Sequence, residues 1–150
     1  MRGAPGFIQF TTILTVLALS IGGYFLYALL PAYTENYTLK QELSGVANQA
    51  WHKLGREELQ KQVIAKATGI GSHVEIPPSG LPVTVKGLPI GEDEVSVTCT
   101  DSARDCTGAD GSVVIAVSYM RIMTLPYLSG KHLTLHFSPS ATESLQPVEW

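Results

Sequence analysis

The sequence predicts an α+β fold: a single N-terminal transmembrane helix continuing into a helical stem, a second short helix, and an antiparallel β-meander of about three or four strands. Three observations predict it. A long uncharged run opens the chain, a helical stripe of apolar residues follows, and alternating apolar and polar residues fill much of the second half. Helices that come first and strands that come afterwards are typical of α+β folds, in which helices cover one face of a sheet.

The uncharged run is long enough to cross a membrane. Residues 7–30 contain no charged side chain, and all thirteen Asp and Glu residues lie beyond Leu30. About 24 residues make a helix of about 36 Å, which spans the hydrocarbon of a bilayer with some tilt. A cleaved secretory signal usually has an apolar core of about 7–15 residues behind a positive segment. Here the run is longer, and Arg2 is the only positively charged side chain before it. We therefore expect a retained transmembrane helix, with residues 1–6 as a cytoplasmic lead.

The orientation follows from a few charges. Arg2 precedes the run and Glu35 follows it, and positive residues favour the cytoplasmic side. Nine Lys and Arg stand against thirteen Asp and Glu beyond Leu30, which argues against nucleic acid as a partner and against docking on anionic lipid. We expect a single-pass protein of the inner membrane, with the lipid bilayer as a partner and the C-terminal domain extracytoplasmic, in the periplasm.

Two cysteines lie close together in an acidic stretch. A disulfide between Cys99 and Cys106 fits an oxidising compartment, and two free thiols are the alternative. The acidic loop around them is the one candidate ion site, although its spacing does not match an EF-hand and a solvated loop is the simpler interpretation. Its carboxylates are Glu92, Asp93, Glu94, Asp101, Asp105 and Asp110.

Tyrosines gather where the uncharged run ends. Tyr24, Tyr27, Tyr33 and Tyr37 flank Pro31, and tyrosines at headgroup depth form the usual aromatic belt of a membrane protein. Pro31 should kink the helix or end its membrane part. We therefore predict a membrane-exit belt over these five residues.

Beyond the belt the pattern is helical to about Leu54. Apolar residues recur at spacings of four, three, four and four, which places them on one stripe of a helix. They are Leu39, Leu43, Val46, Ala50 and Leu54, with Trp51 beside the stripe. Aromatic residues often anchor interfaces, so the stripe is a candidate interface for self-association or for a partner. The alternative is that it packs on the sheet as core.

A second helix is predicted over residues 56–68, because Gly69 stops it. Alternation beyond it predicts strands. The predicted strands cover residues 83–86, 95–99, 113–119 and 131–137. The extracytoplasmic domain would then be residues 31–137, and residues 138–150, which have little periodicity, would be a loose C-terminal tail.

The sequence offers no pattern typical of catalysis. It contains no G-x-S-x-G, no Walker loop and no G-x-G-x-x-G, which are the signatures of hydrolases and nucleotide sites. His132 and His136 would lie about 13 Å apart along one strand face, too far for one metal ion. We expect a non-enzymatic protein with no catalytic residue, no cofactor and no metal.

The segment L-P-A-Y-T-E-N-Y over residues 30–37 resembles the Pro-x-Tyr-x-Glu-x-Tyr exit of domain-of-unknown-function family 4845. These are small Gram-negative envelope proteins with one N-terminal span, a helical stem and a closing β-meander. Residues 133–137 are similar to the family's closing apolar strand. The acidic insertion between Cys99 and Cys106 departs from that plan. The family implies no catalytic residues.

The plan also resembles type IV pilins and pseudopilins, in which an apolar N-terminal helix runs into a β domain. Gly6-Phe7 is similar to their processing site, but Thr11 stands where they carry an acidic residue, which leaves processing after Gly6 and filament assembly open. We expect a membrane-anchored structural or assembly protein of the cell envelope with pilin-like architecture, whose partners are other membrane or envelope subunits or copies of itself. The alternative is an accessory or binding subunit of a larger membrane complex.

Overall fold

The computed structural model describes residues 5–50, 55–78, 80–99, 111–125 and 131–144, with the backbone alone for residues 5–9. The chain divides into two compact units, an N-terminal unit of residues 1–33 and a C-terminal unit of residues 34–150. The described elements are two α-helices, a short 3-10 helix and seven strands. The predicted α+β class is confirmed.

Helix α1 runs from Pro5 to Gln49. Proline is well tolerated at the first position of a helix, where its missing N–H would have no partner anyway. A second proline, Pro31, lies inside the helix and cannot donate to the carbonyl of Tyr27. The helix nevertheless continues past it, so the prediction of one helix that leads from the apolar run into a stem is confirmed.

Helix α2 covers Arg56–Ala67 and confirms the second predicted helix. Glu57 and Glu58 in its first turn and Lys66 in its last turn match the partial charges at the two ends of a helix. Its buried residues are Leu59, Val63 and Ala67. Because they recur every four residues, they form one apolar face on the core.

The seven strands form three antiparallel sheets. The strands are β1 (Ser72–Glu75), β2 (Val83–Lys86), β3 (Val95–Cys99), β4 (Ser112–Val117), β5 (Tyr119–Thr124), β6 (His132–Phe137) and β7 (Ser140–Ser144). The sheets are β1-β2, β3-β4-β7 and β5-β6. The predicted meander of about three or four strands is therefore wrong in strand number and in connection, because β7 pairs with β4 rather than with β6.

Strands β4 and β5 form one arm of a long hairpin, and β6 and β7 form the other, which we call the long ribbon. Ala116 pairs with Ser140 before the junction and Tyr119 with Phe137 after it, so the register is the same on both sides. Pro139 lies at the junction. Its carbonyl accepts a bond from β4 at 3.0 Å, but it has no N–H to return. The ladder is interrupted there, which divides the ribbon into two sheets.

Strand β7 lies in the segment that the sequence predicted as a loose tail, so that prediction is wrong for residues 140–144. Only Ala141 of this strand is buried. An edge strand can be held by its backbone bonds to a neighbour and needs no apolar alternation, which is why the pattern gave no signal. Residues 145–150 lie outside the described part.

The core of the C-terminal unit is built from both helices and from β4. Its largest fully buried side chains are Leu39, Leu43, Leu59, Ile115, Val46, Val63, Val113 and Val117. Val113, Ile115 and Val117 alternate along β4, as residues on the covered face of a strand must.

Candidate functional site

The N-terminal unit presents an apolar surface. Large apolar side chains of α1 between Phe10 and Leu30 are exposed. By length and composition, α1 is the one helix in the described part of the chain that could cross a membrane. The coarse prediction of a single apolar helix near the N-terminus is confirmed.

The tyrosines of the predicted exit belt differ in exposure. Tyr27 and Tyr33 are exposed, and so is Tyr37 in the C-terminal unit. Tyr24 is half-exposed and meets Phe25 edge to face, with ring centroids 5.7 Å apart. Exposed tyrosines suit a bilayer interface, and their role as a belt stays a prediction.

The apolar stripe of the stem is buried in the C-terminal unit itself. Leu39, Leu43, Val46 and Ala50 are no more than 2% exposed. The predicted interface is therefore not a surface of this folded unit, and the alternative, a core stripe, describes these four residues. The stripe forms because a helix packed along one side buries residues that recur every three or four positions. Trp51 and Leu54 lie outside the described residues.

The acidic stretch is only partly described. Glu92, Asp93 and Glu94 form the short 3-10 helix and are exposed. Cys99 ends β3 and is disulfide-bonded. Cys106, Asp101, Asp105 and Asp110 lie outside the described residues, so the Cys99–Cys106 pairing and the calcium site stay predictions.

Five residues of the C-terminal unit form a polar cluster that ties α1 to β1 and β5. They are Glu35, Asn36, Ser72, Tyr119 and Arg121. Arg121 Nη1 donates to the Glu35 carboxylate, and Arg121 Nη2 donates to the carbonyl of Ser72 at 2.8 Å. Tyr119 Oη donates to Asn36 Oδ1 at 3.4 Å.

The alternation of β5 places the cluster in the interior. Tyr119 and Arg121 are on the buried face of the strand. The Arg121 side chain is 9% exposed and that of Glu35 is 21% exposed. A buried guanidinium is costly unless a counter-charge and hydrogen-bond acceptors meet it. Glu35 supplies the counter-charge and the Ser72 carbonyl supplies a hydrogen-bond acceptor, so Arg121 can lie on the buried face of β5.

Gly71 allows the cluster to close. Its φ of 61° is in the left-handed region, which glycine adopts at little cost. A β-carbon at this position would collide with the carboxylate of Glu35. Glycine is needed at this position because only its hydrogen atom leaves room for the Glu35 side chain.

Tyr119 is packed and remains neutral. Its ring stacks on Phe137 with centroids 5.4 Å apart. Burial raises the pKa of Tyr119 to about 12, while the Arg121 charge lowers the pKa and the Glu35 charge raises it by smaller amounts. The phenol therefore keeps the proton that it donates to Asn36.

A buried histidine lies beside the cluster. The Nδ1–H of His73 donates to the carbonyl of Gly87 at 2.7 Å, and its Nε2 lies 3.0 Å from Glu75 Oε1. The other described histidines, His132 and His136, are exposed on β6. His73 thus links the start of β1 to the residue that follows β2.

Two open grooves lie between β1 and β5. The larger has a volume of about 380 Å³ and the smaller about 280 Å³. The apolar lining of the larger is Val74, Ile76, Pro77, Pro89, Met120 and Ile122. Ile76 and Met120 are exposed, so this groove could receive an apolar group of a partner.

The described residues include no group of three or more His, Cys, Asp or Glu placed to hold a metal ion. Among the described residues, no buried side-chain nitrogen or oxygen atom lacks a hydrogen-bond partner. The hydrogen bonds and the ion pair of the polar cluster hold β1 and β5 against α1.

The chain matches no family model, no curated protein and no solved structure. The resemblances to family 4845 and to the pilins stay predictions.

Sequence reasoning missed the polar cluster because its members are far apart in the chain. Glu35 and Arg121 are separated by 86 residues, beyond any local periodicity. One signal was present: Arg121 interrupts the apolar segment Y-M-R-I-M. A charge flanked by apolar residues in a strand indicates a buried partner, although it does not identify which carboxylate.

Proposed function

We propose that this chain is a non-enzymatic, single-span structural or assembly protein of the cell envelope, with pilin-like architecture. In this proposal residues 7–30 cross the inner membrane and the C-terminal unit lies in the periplasm. The observation that carries it is the surface of α1 between Phe10 and Leu30, where large apolar side chains are exposed. Water is a poor solvent for such a surface and lipid is a good one.

The polar side chains within that surface support the proposal. The hydroxyl of Thr15 donates to the carbonyl of Thr11 at 2.9 Å, and that of Ser20 donates to the carbonyl of Val16 at 2.8 Å. A polar group in hydrocarbon must find its partner within the protein. Hydroxyls that bond back to their own helix satisfy this requirement.

The polar cluster supports a structural role for the C-terminal unit. Its one buried ion pair uses its charges to join elements. His73, which lies beside the cluster, is bonded to Gly87 and lies 3.0 Å from Glu75. Catalysis needs convergent polar groups free to meet a substrate. The pilin-like part of the proposal rests on α1, which leads from the apolar run directly into an α+β unit.

An accessory subunit of a larger membrane complex is the second candidate. The larger groove between β1 and β5 favours it, because exposed Ile76 and Met120 flank an apolar lining. Small apolar clefts of this kind often receive one anchoring side chain of a partner. The stem stripe no longer supports either candidate as a contact surface, because it is core.

Membrane extraction tests the anchor. The full chain should stay in the membrane pellet after alkaline carbonate, and a periplasm-active reporter fused after Trp150 should be active. Leu17→Lys should weaken insertion, because a lysine at the centre of a span costs about 3 kcal/mol, and Leu17→Ala is its matched control. Release of the wild-type chain by carbonate would contradict the proposal.

Extraction in mild detergent separates the two candidates. A ladder of cross-linked homo-oligomers supports an assembly protein, and one stoichiometric foreign partner supports an accessory subunit. A strictly monomeric chain without a partner would contradict both.

A further inference from the structure

Strand β6 lies at the edge of its sheet. In the described part of the chain it pairs only with β5, and the bond from Leu125 N to the carbonyl of Lys131 at 3.3 Å continues the register of that pair. Bonded and non-bonded pairs alternate along an antiparallel ladder. The odd-numbered residues of β6 therefore bond β5, and the backbone groups of His132, Thr134 and His136 point away from it. These groups form a row of donors and acceptors that can pair with an added strand.

The side chains leave this edge accessible. His132, Thr134 and His136 are exposed, and Leu133 and Leu135 are half-buried. The two leucines lie on the face of the sheet that packs on the core, while the other three side chains lie on the outer face, because successive side chains of a strand alternate between its faces. An incoming strand would meet apolar side chains on one face and histidines on the other.

The edge of β6 differs from that of β2. Natural sheets discourage the addition of strands by making edge strands short and by placing prolines and lysines there. Strand β2 has four residues, follows Pro82 and ends in Lys86. Strand β6 has six residues and contains no proline and no Asp, Glu, Lys or Arg. It therefore lacks the features that protect β2.

Two other edge strands are met by side chains of the helices. Gln60 Nε2 of α2 donates to the carbonyl of Val95 in β3 at 3.5 Å. Ser44 Oγ of α1 donates to Glu143 of β7 at 2.7 Å. Among the edge strands that the structure describes, β6 is therefore the one best suited to receive another strand.

The outer face of the β5-β6 hairpin offers donors and no carboxylate. Neither strand contains Asp or Glu. His132 and His136 lie opposite Thr124 and Met120 of β5, which are uncharged, and Glu75 of β1 lines the groove on the far side of β5. Histidine takes up a proton between about pH 8 and 5 and is then stabilised by a nearby carboxylate. An added strand with acidic side chains at the matching positions would complement this face.

We propose that the edge of β6 binds an extended segment of another envelope protein by strand addition, and that this segment carries acidic side chains four residues apart, opposite His132 and His136. This inference rests on the proposed envelope role, in which the chain works through contacts with other subunits. Backbone hydrogen bonds supply the affinity, and the side-chain positions supply the specificity. Apolar side chains of the segment pack beside Leu133 and Leu135, and its carboxylates accept bonds from the two histidines.

A synthetic peptide tests the site. The probe is Thr-Glu-Val-Thr-Val-Glu-Thr with an N-terminal fluorophore and a C-terminal amide. In an antiparallel pairing its glutamates fall opposite the two histidines and its valines opposite the two leucines. Fluorescence anisotropy at pH 6, with the full chain in detergent, should show saturable binding. A peptide with lysines in place of both glutamates should bind at least several-fold more weakly, and equal binding of the two peptides would overturn the acidic preference.

Two proline variants test the backbone bonds. Thr134→Pro removes an N–H that points away from β5, so it keeps the β5-β6 ladder but should weaken binding of the glutamate peptide about tenfold. Thr142→Pro is the matched control and should leave binding unchanged, because the register gives Thr142 an outward N–H on β7, in the same arm of the long ribbon. Equal binding by the two variants would overturn strand addition at β6.

Charge reversal on the outer face tests the ligand chemistry without a change of backbone. His132→Glu combined with His136→Glu should abolish binding of the glutamate peptide and confer binding of the lysine peptide. Ser96→Glu combined with Thr98→Glu replaces two exposed residues of β3 and is the control, which should change neither affinity. If the reversal leaves the preference for the glutamate peptide intact, an acidic segment is not the ligand.

The failure of this inference can be told apart from the failure of the proposed function. If the wild-type chain stays in the membrane after alkaline carbonate but does not bind the glutamate peptide, the edge site is overturned and the anchor stands. If carbonate releases the chain and the peptide still binds in the expected pattern of variants, the anchor is overturned and the edge site stands.

Discussion

Arg121 is the residue on which the polar contacts of the C-terminal unit converge. It is a charge turned into the core, with Glu35 on one side and the Ser72 carbonyl on the other. Such a pair gives little net stability when compared with apolar residues of the same shape, but the loss of one partner leaves an uncompensated charge. The two members should therefore respond to mutation as a unit.

Removing one charge should cost far more than removing both. Arg121→Met should lower the free energy of unfolding of the full chain in detergent by about 3 kcal/mol, because Glu35 is then left half-buried and unpaired. The double variant with Glu35→Leu should recover much of that loss. Lys66→Gln, at an exposed pair with Glu42, is the control and should cost less than about 1 kcal/mol. Equal losses at Arg121 and Lys66 would contradict a buried pair.

Two glycines with similar backbone angles should respond differently to the same change. Gly71 and Gly80 have φ of 61° and 78°, so alanine strains both by about 1–2 kcal/mol. Around Gly80 there is open space, whereas at Gly71 the new β-carbon meets Glu35. Gly71→Ala should therefore reduce the melting temperature clearly more than Gly80→Ala. Equal shifts would show that the Glu35 contact is not rigid.

The raised pKa of Tyr119 gives a pH dependence with a definite sign. Its folded-state pKa of about 12 lies above the ordinary value of 10.0, so the stabilisation is full below about pH 10 and is lost as pH rises toward about 12. Tyr119→Phe keeps the stack on Phe137 and should flatten the fall in unfolding free energy over that window. The unfolding free energy is measured by urea titration at several pH values. If its slope against pH is the same for Tyr119→Phe as for the wild type, burial of the phenol is contradicted.

The elements differ in how far sequence alone could predict them. Helix α2 and strand β3 were predicted almost to the residue, because their apolar residues repeat at 3.6 and 2.0 positions. The prediction over residues 113–119 merged β4 with the first residue of β5, since the interruption depends on Pro139 in the opposite arm. Strand β7 was missed because S-A-T-E-S has no apolar alternation. The polar cluster could not be predicted from local sequence patterns, because Glu35 and Arg121 are 86 residues apart and meet only in the folded chain.

A charge placed on β7 should show that this segment is structure and not tail. Ala141 is buried against Ile115, so Ala141→Asp places a carboxylate in the core and should unfold the unit or cost at least about 3 kcal/mol. The neighbouring Thr142 is exposed, and Thr142→Asp should be tolerated. Thermal melts followed by circular dichroism should show a large loss of stability for Ala141→Asp and little change for Thr142→Asp. If both are tolerated, the burial of β7 is wrong.

The whole molecule consists of two compact units that differ in where their apolar side chains lie. The N-terminal unit is apolar outside, whereas the C-terminal unit buries Leu39, Leu43 and Val46 in a core of its own. Because these stem residues are buried in the core, they cannot also form an interface with a partner. Contacts with other subunits would then use α1 before Thr34 or the outer surfaces of the strands.

The division into units predicts that the C-terminal unit folds alone. A fragment that begins at Thr34 retains the buried stripe and the polar cluster, so it should be soluble without detergent and should unfold in one cooperative step. Its hydrogen-exchange protection on β4 should match that of the full chain. Aggregation or gradual melting would mean that residues 1–33 are needed for the fold.

The long sequence separation of paired residues also sets a schedule for biogenesis. Ser44 and its partner Glu143 are 99 residues apart, and a ribosome needs about 5–20 s to make that length. During this interval the stem has been synthesised but its covering ribbon is not yet complete. The nascent stem therefore exposes apolar side chains that become core only after the ribbon is made. Slow synthesis of the last forty or so residues would prolong the period in which the chain is open to aggregation and proteolysis.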